Sequence, residues 1–277
     1  MNTKINTYLM VVAATCGLCL TSVAQAGQVW FQGFETDASG WLDNDDFAGF
    51  GNIDQVSSGA GTLGLTSATG GGHAEVQQVG PVGDESGPFS RFDGYRSVWP
   101  GGMTASIDVY LDTTWSAGEG FDFSVAANGT DGNHERDFIF HVTKDTSTGD
   151  LLVAGSNNSN FEPREDLETL NHFVVSSSGW YTLEHEFYDF GDGTLAVDLN
   201  LRDSGGALLF TETRHDGADT LGINVGGNRY SWFTNVDIVG GIAIDNHSLV
   251  VTPEPGSIAM AAIGLVGLLV CRRRRLQ

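Results

Sequence analysis

Several groups of residues in this chain have side chains and spacings suited to chemistry. Glu184 and Glu186 stand two apart in an alternating run, so on a strand they share one face at roughly 7 Å. A same-face carboxylate pair is what a strand-borne glycosidase needs. Phe187 and Tyr188 follow rather than further acids, and a polar outer face is the simpler reading. Asp131-Gly132-Asn133-His134-Glu135-Arg136-Asp137, with His141 beyond, is the densest polar cluster. Histidine among arginine and acids suits a lyase that removes a proton beside a uronate. Asn128-Gly129 and Asp131-Gly132 are turn dipeptides, however, and favour a hydrated hairpin loop. Asp43-Asn44-Asp45-Asp46 lacks the glycine and distant glutamate of an EF-hand loop and reads as a solvated acidic loop. Asn228-Arg229-Tyr230-Ser231-Trp232 brings amide, guanidinium and aromatic groups together. Sugars stack their C–H faces on such rings, so Asn228, Arg229, Tyr230 and Trp232 form the candidate ligand-binding edge. Trp41, Trp99, Trp115, Trp180 and Tyr95 also fall near strand ends and turns. No catalytic residue stands out, and the expected class is a binding protein rather than an enzyme.

The elements that must position these groups are strands. Helical periodicity is nearly absent between Gly27 and Thr252, and period-two alternation recurs between Gly, Asn, Asp and Ser clusters. In Trp180 to Tyr188, Tyr181, Leu183, His185 and Phe187 share a face; in Thr194 to Arg202, Leu195, Val197, Leu199 and Leu201 do so. Gly191-Asp192-Gly193 supplies a hairpin turn between them, and Ser204-Gly205-Gly206 turns the chain into a third strand, Ala207 to Thr213. Further strands are expected at Val29–Glu35, Gly61–Ser67, His73–Val79, Thr104–Leu111, Phe121–Ala127, Arg136–Thr143, Asp150–Gly155, Tyr230–Val236 and Gly241–Val251. Pro163 to Asn171 is the single helical candidate. The fold expected is all-β, an antiparallel two-sheet jelly-roll or concanavalin-like β-sandwich. No internal repeat points to a propeller or solenoid.

Composition narrows the partners. The chain has 13 Lys and Arg against 35 Asp and Glu, a formal net charge of −22. Lys4 and Arg272 to Arg275 lie outside the β-rich region, as does Glu254, which leaves 8 basic and 34 acidic residues there and a charge of −26. Such a field opposes nucleic acid and anionic membranes and favours cations or neutral ligands. Cys16, Cys19 and Cys271 are all terminal. The β-rich region therefore has no disulfide, thiolate metal site or cysteine nucleophile.

Phe31-Gln32-Gly33-Phe34-Glu35 and Ile242-Ala243-Ile244-Asp245-Asn246 resemble the first and last strands of jelly-roll carbohydrate-binding modules. The resemblance covers a few residues at each end. It implies that Glu35 and Asp245 meet, around a structural Ca2+ completed by backbone oxygens and water.

Both ends carry sorting features. Lys4, the apolar run Tyr8 to Leu20 and the small-x-small Ala24-Gln25-Ala26 read as a signal peptide cut after Ala26. Cys16 and Cys19 lack a convincing lipoprotein pattern. Pro253-Glu254-Pro255, the uncharged Ser257 to Cys271 and four arginines follow in order at the other end. This arrangement resembles the PEP-CTERM sorting signal, which implies a processing exosortase and, often, an association with exopolysaccharide. As a helix the apolar run would span about 22 Å, short against a ~30 Å hydrocarbon core. It suits a transient inner-membrane anchor with its arginines in the cytoplasm. The organisation expected is a signal peptide at 1–26, a β-sandwich at 27–250 and a sorting signal at 251–277. The protein would be exported to the cell surface or matrix and bind polysaccharide; a secreted hydrolase or lyase and a purely structural protein are the alternatives. Mass spectrometry of the exported protein should find Gly27 as its first residue; acylated Cys16 or Cys19 would contradict this.

Overall fold

The structure, a computed structural model, describes residues 27–77, 87–157, 166–215, 221–222 and 225–252. The signal peptide, Pro253-Glu254-Pro255 and the apolar run after it lie outside these residues.

Alternation produces two antiparallel sheets. The larger contains β1 (Gly27–Gln32), β3 (Asn52–Ser57), β4 (Gly72–Gln77), β6 (Gly102–Leu111), β11 (Gly179–Asp189), β12 (Thr194–Asp203), β13 (Leu208–Arg214), β14 (Leu221–Gly222) and β16 (Ile242–Val251). Its order is β13-β12-β11-β6-β16-β4-β3, with β1 also on β16 and β14 on β12. The smaller contains β2 (Trp41–Leu42), β5 (Phe89–Ser90), β7 (Gly120–Gly129), β8 (His134–Lys144), β9 (Leu151–Asn157), β10 (His172–Val175) and β15 (Val225–Asp237), in the order β10-β9-β8-β7-β15-β5-β2. This is a jelly-roll β-sandwich.

The expected meander forms as β11, β12 and β13, with Gly191 and Gly193 at φ of 95° and 85°. Tyr181, Leu183, His185 and Phe187 interleave between the sheets with Leu195, Val197, Leu199 and Leu201. They meet Phe121, Phe123, Phe138, Phe140 and Phe233 from the smaller sheet. At roughly 25 cal/mol per Å2 of apolar surface buried, this layer supplies the cohesion that disulfides would otherwise share.

Some expectations are corrected. Gly61 to Ser67 is not a strand: Gly61 and Gly64 take φ of 78° and 63°, which breaks an extended run. Glu75 holds the loop by accepting the Thr62 and Leu63 amides at 2.9 and 2.8 Å. The described part of Pro163 to Asn171 contains only a short 3-10 turn, Leu167–Thr169. Asn52–Ser57 and His172–Val175 are edge strands that sequence reading missed; each buries one side chain, Ile53 and Val175. Trp41 is in the core rather than exposed, stacked on Phe233 at 5.9 Å.

Two histidines lie inside the core. His185 Nε2 donates to the Phe138 carbonyl at 3.0 Å, among Phe123, Phe140 and Phe187. Burial lowers its pKa to about 3, partly opposed by that hydrogen bond. Burial likewise holds His247 well below the usual imidazole range. The unfolded chain therefore takes up protons near pH 6.5 that the folded chain refuses. This contribution to stability is complete above pH 6.5 and drains away as pH falls toward 3. His185→Leu should flatten the fall of the thermal unfolding midpoint between pH 6.5 and 4; an unchanged slope would assign acid sensitivity elsewhere.

Candidate functional site

β15 places alternate side chains on the outer face of the smaller sheet, and the loop after β5 folds over them. Tyr230 and Trp232 from β15 join Phe50, Phe89, Arg91 and Tyr95 around a cleft of about 210 Å3. The Trp232 indole N–H donates to the Gly87 carbonyl at 2.7 Å, and its ring meets Tyr230 edge-on at 5.9 Å. Phe50 packs on Phe89 at 5.4 Å and on Trp232 at 6.2 Å. Two guanidiniums bracket Tyr95: Arg229 lies 4.8 Å and Arg91 5.4 Å from its ring centre. Arg229 also donates to Asn128 Oδ1 at 2.8 Å and to the Gly132 carbonyl at 3.1 Å. Neither Arg91 nor Arg229 has a carboxylate partner among the described residues.

The loop carrying Arg91 and Tyr95 is pinned from below. Phe92 takes a φ of 56°, a strained value for a phenylalanine. Its amide donates to Ser90 Oγ at 3.0 Å, and its ring packs against Trp30 and His247. Asn228, expected to face a ligand, is instead buried. Its amide donates to the Gly94 carbonyl at 3.0 Å, and its Oδ1 accepts from Arg96. Asn228 thus shapes the cleft from within, because a strand irregularity turns it inward. Arg229, Tyr230 and Trp232 are brought together as expected.

Tyr230 is also tied to the polar hairpin. Burial, then the Asp137 charge and its hydrogen bond, push the Tyr230 phenol well above its ordinary range. It stays protonated, and its O–H donates a hydrogen bond to Asp137. His134 pairs with Asp137 at 2.8 Å and lies parallel to the Tyr230 ring. Asp131 accepts the Asn133 amide at 2.9 Å inside the expected hairpin turn. His141, by contrast, is far along β8 and wholly buried.

The first and last strands meet as the sequence predicts: β1 pairs with β16. Asp245 is wholly buried and accepts the Thr69 and Asn246 amides at 3.1 and 2.8 Å. Glu35 accepts the Gly71 amide at 2.8 Å, and Asp108 lies directly opposite Asp245. Burial first, and then the charges of Asp108 and Glu35, raise the Asp245 carboxyl to about 6 despite those amides. No group of three or more His, Cys, Asp or Glu among the described residues is arranged to hold a metal ion. Elsewhere, Glu184 is neutralised by Arg202 at 2.8 Å, and Asp43 accepts the Asp45 amide at 2.9 Å within its own turn.

Phe50, Phe89 and Arg91 escaped the sequence reading. The alternation of arginine and aromatic residues in Arg91-Phe92-Asp93-Gly94-Tyr95-Arg96 was the available signal.

Residues 251–275 match the family model described as the PEP-CTERM protein-sorting motif. No curated protein matches the sequence. Among solved structures, the chain is similar to the CBM2 module of the evolved Dit of Lactobacillus casei BL23 phage J-1. The identity is 13%, with 83% of this chain and 98% of that one covered and a TM-score of 0.44. It is also similar to the endo-beta-1,4-glucuronan lyase of the fungus Trichoderma reesei (12% identity, 82% and 96% coverage, TM-score 0.43). A third likeness is the PL-14 alginate lyase of Aplysia kurodai (12% identity, 82% and 100% coverage, TM-score 0.43). At these values the likenesses carry no argument about ligand or activity. Fold and motif together define a jelly-roll β-sandwich delivered by a sorting signal. The chain carries the PEP-CTERM signal, which marks an exported, cell-surface protein and implies processing by an exosortase.

The raised Asp245 carboxyl has a calculable consequence. The folded state holds this proton more tightly than the unfolded chain, so the associated stability is complete below pH ~4 and is lost as pH rises through 6. Asp245→Asn should therefore stabilise the protein by about 1–2 kcal/mol near pH 8 and give no advantage near pH 4. Thermal unfolding at the two pH values checks this.

Proposed function

We propose that this is a surface protein that binds an acidic polysaccharide in the Tyr95–Trp232 cleft without cleaving its sugar chain. One observation carries the reading. Arg91 and Arg229 converge on the Tyr95 ring without a carboxylate partner among the described residues, in a chain whose acids outnumber its bases 35 to 13. Arg96, Arg202 and Arg214 each hold an acid within 3.2 Å, whereas these two guanidiniums lie over an aromatic platform, which favours an anion from outside. Rings of Tyr95, Tyr230 and Trp232 offer faces for sugar C–H groups, and the arginines offer forked donors for a uronate or sulfate. The surrounding negative field acts against loosely held anions, so recognition of an acidic glycan depends on this local exception. Bond cleavage at the cleft is not favoured, because Tyr230 stays protonated and Asp137 is occupied by His134 and Tyr230.

A structural Ca2+ at Glu35 and Asp245 belongs to the same reading. The buried Asp245 charge lacks a cationic partner among the described residues and suffers from Asp108 and Glu35. A hard cation with water and carbonyl ligands would relieve that repulsion. Millimolar calcium should raise the unfolding midpoint of the wild type and not of Asp245→Asn, and EDTA should reverse it. No shift would remove the ion from the proposal.

A glycan array combined with a reducing-sugar assay tests the binding role. Acidic glycans should bind without release, with affinity falling as salt rises. Trp232→Ala and Arg229→Ala should each weaken binding about tenfold, the equivalent of ~1.4 kcal/mol. Release of sugar ends would support the hydrolase or lyase alternative. Absence of binding would leave a purely structural protein.

A further inference from the structure

The outer face of the smaller sheet holds a second polar group, running from β7 beside the cleft strand to β9, three strands from it. Asp122 on β7 lies directly opposite His141 on β8. Ser156 on β9 faces Ile139, two residues along from the His141 position. Asp122 Oδ1 is 2.6 Å from His141 Nδ1, and Ser156 Oγ is 2.6 Å from His141 Nε2. Asp122 and His141 are wholly buried, whereas Ser156 is half exposed. We propose that Ser156, His141 and Asp122 form a nucleophilic triad that hydrolyses esters of small carboxylic acids.

Three features support this beyond proximity. The arrangement gives each nitrogen the role required of it: Nδ1–H donates to the carboxylate, and Nε2 accepts from the serine hydroxyl. Asp122 is held from its other side by Asn235 Nδ2, which donates to Oδ2 at 2.7 Å. Asn235 has a φ of 50°, a strained value for a residue within a strand. Finally, a buried aspartate and histidine on an outer sheet face are costly, and apolar residues there would be tolerated more cheaply. The only half-open member of the row is the one whose oxygen must reach a substrate.

The chemistry balances without a cofactor. Ser156 Oγ bonds to the acyl carbon of the ester while its proton passes to His141 Nε2. The ester C–O bond breaks, and the alcohol leaves with that proton. Water then attacks the acyl-serine, again giving its proton through His141, and releases the carboxylic acid and free Ser156. Ala154 and Ile139 beside Ser156 are wholly buried, so the acyl group accommodated is a small one such as acetyl. Trp232, Ser124, Ile139 and Ser156 lie in one register row across four strands. Three strand spacings put Ser156 about 14 Å from the cleft, within reach of an acylated hydroxyl some three sugars along. That identity of the alcohol rests on the polysaccharide reading; ester cleavage itself does not.

The full-length protein should be treated with a fluorophosphonate probe and mapped by mass spectrometry, and its hydrolysis of p-nitrophenyl acetate and octanoate measured. The proposal expects an adduct on Ser156, preference for acetate, and loss of hydrolysis in Ser156→Ala with an unchanged unfolding midpoint. His141→Gln and Asp122→Asn should each slow labelling of Ser156 at least a hundredfold. No adduct at Ser156 in the wild type, or hydrolysis that survives Ser156→Ala, would overturn it. Glycan binding without labelling would end this inference and leave the binding reading intact; labelling without glycan binding would do the reverse.

Discussion

The hydrogen-bonded ladder of β16 is the constraint on which the sandwich depends. This last strand pairs with β1 and β4 and with β6, so it sits inside the larger sheet rather than at its edge. With no cysteine between Gly27 and Thr252, the meeting of first and last strands is what closes the fold. Its inward side chains Ile244 and Leu249 enter the common core, and His247 bonds Ser231 of the opposite sheet at 3.0 Å. Closure has a cost at Asp245, where the charges of Asp108 and Glu35 bear on it beside the pairing of the first and last strands. The acid-side behaviour of the two core histidines and that of Asp245 have opposite signs. The pH profile of stability therefore separates the burial cost of the core histidines from the repulsion at Asp245.

The two sheets differ in what they do. The larger carries closure and presents paired polar residues outward, as in the contact of Glu184 with Arg202 and Asn200. The smaller packs phenylalanines inward and gathers chemistry on its outer face. Tyr230, Trp232, Asp122, His141 and Ser156 all project from it, on strands whose registry is set by the aromatic layer beneath. A rigid sheet supporting a pinned loop is a sound way to hold two guanidiniums against one ring.

Much of the architecture was legible because it follows from alternation. The β11–β13 meander is read directly from Tyr181 to Phe187, Leu195 to Leu201 and the glycines between them. Edge strands were illegible for the same reason: Asn52–Ser57 buries little, so its sequence has no apolar stripe. At the cleft, Arg229, Tyr230 and Trp232 were legible as neighbours on one strand. Asn228 was misread because a register irregularity turns it inward, and irregularities leave no periodic trace. Phe50, Phe89 and Arg91 reach the cleft from distant parts of the chain, and no local pattern announces that approach.

The sequence by itself determined the address and the class of fold. A sorting motif is a linear object recognised in extended form, and strand alternation is a local consequence of where side chains point. Only the tertiary structure decided which polar residues share an environment. His141 belongs by sequence to the Asp131–Asp137 cluster, yet sheet pairing removes it to Asp122 and Ser156, 19 and 15 residues away. Likewise, the convergence of Arg91 and Arg229 on Tyr95, with no acid beside them among the described residues, is a property of three-dimensional neighbours, not of composition. Burial, pairing and exposure are set by long-range packing, and they separate a chemically competent group from one that only shares its letters.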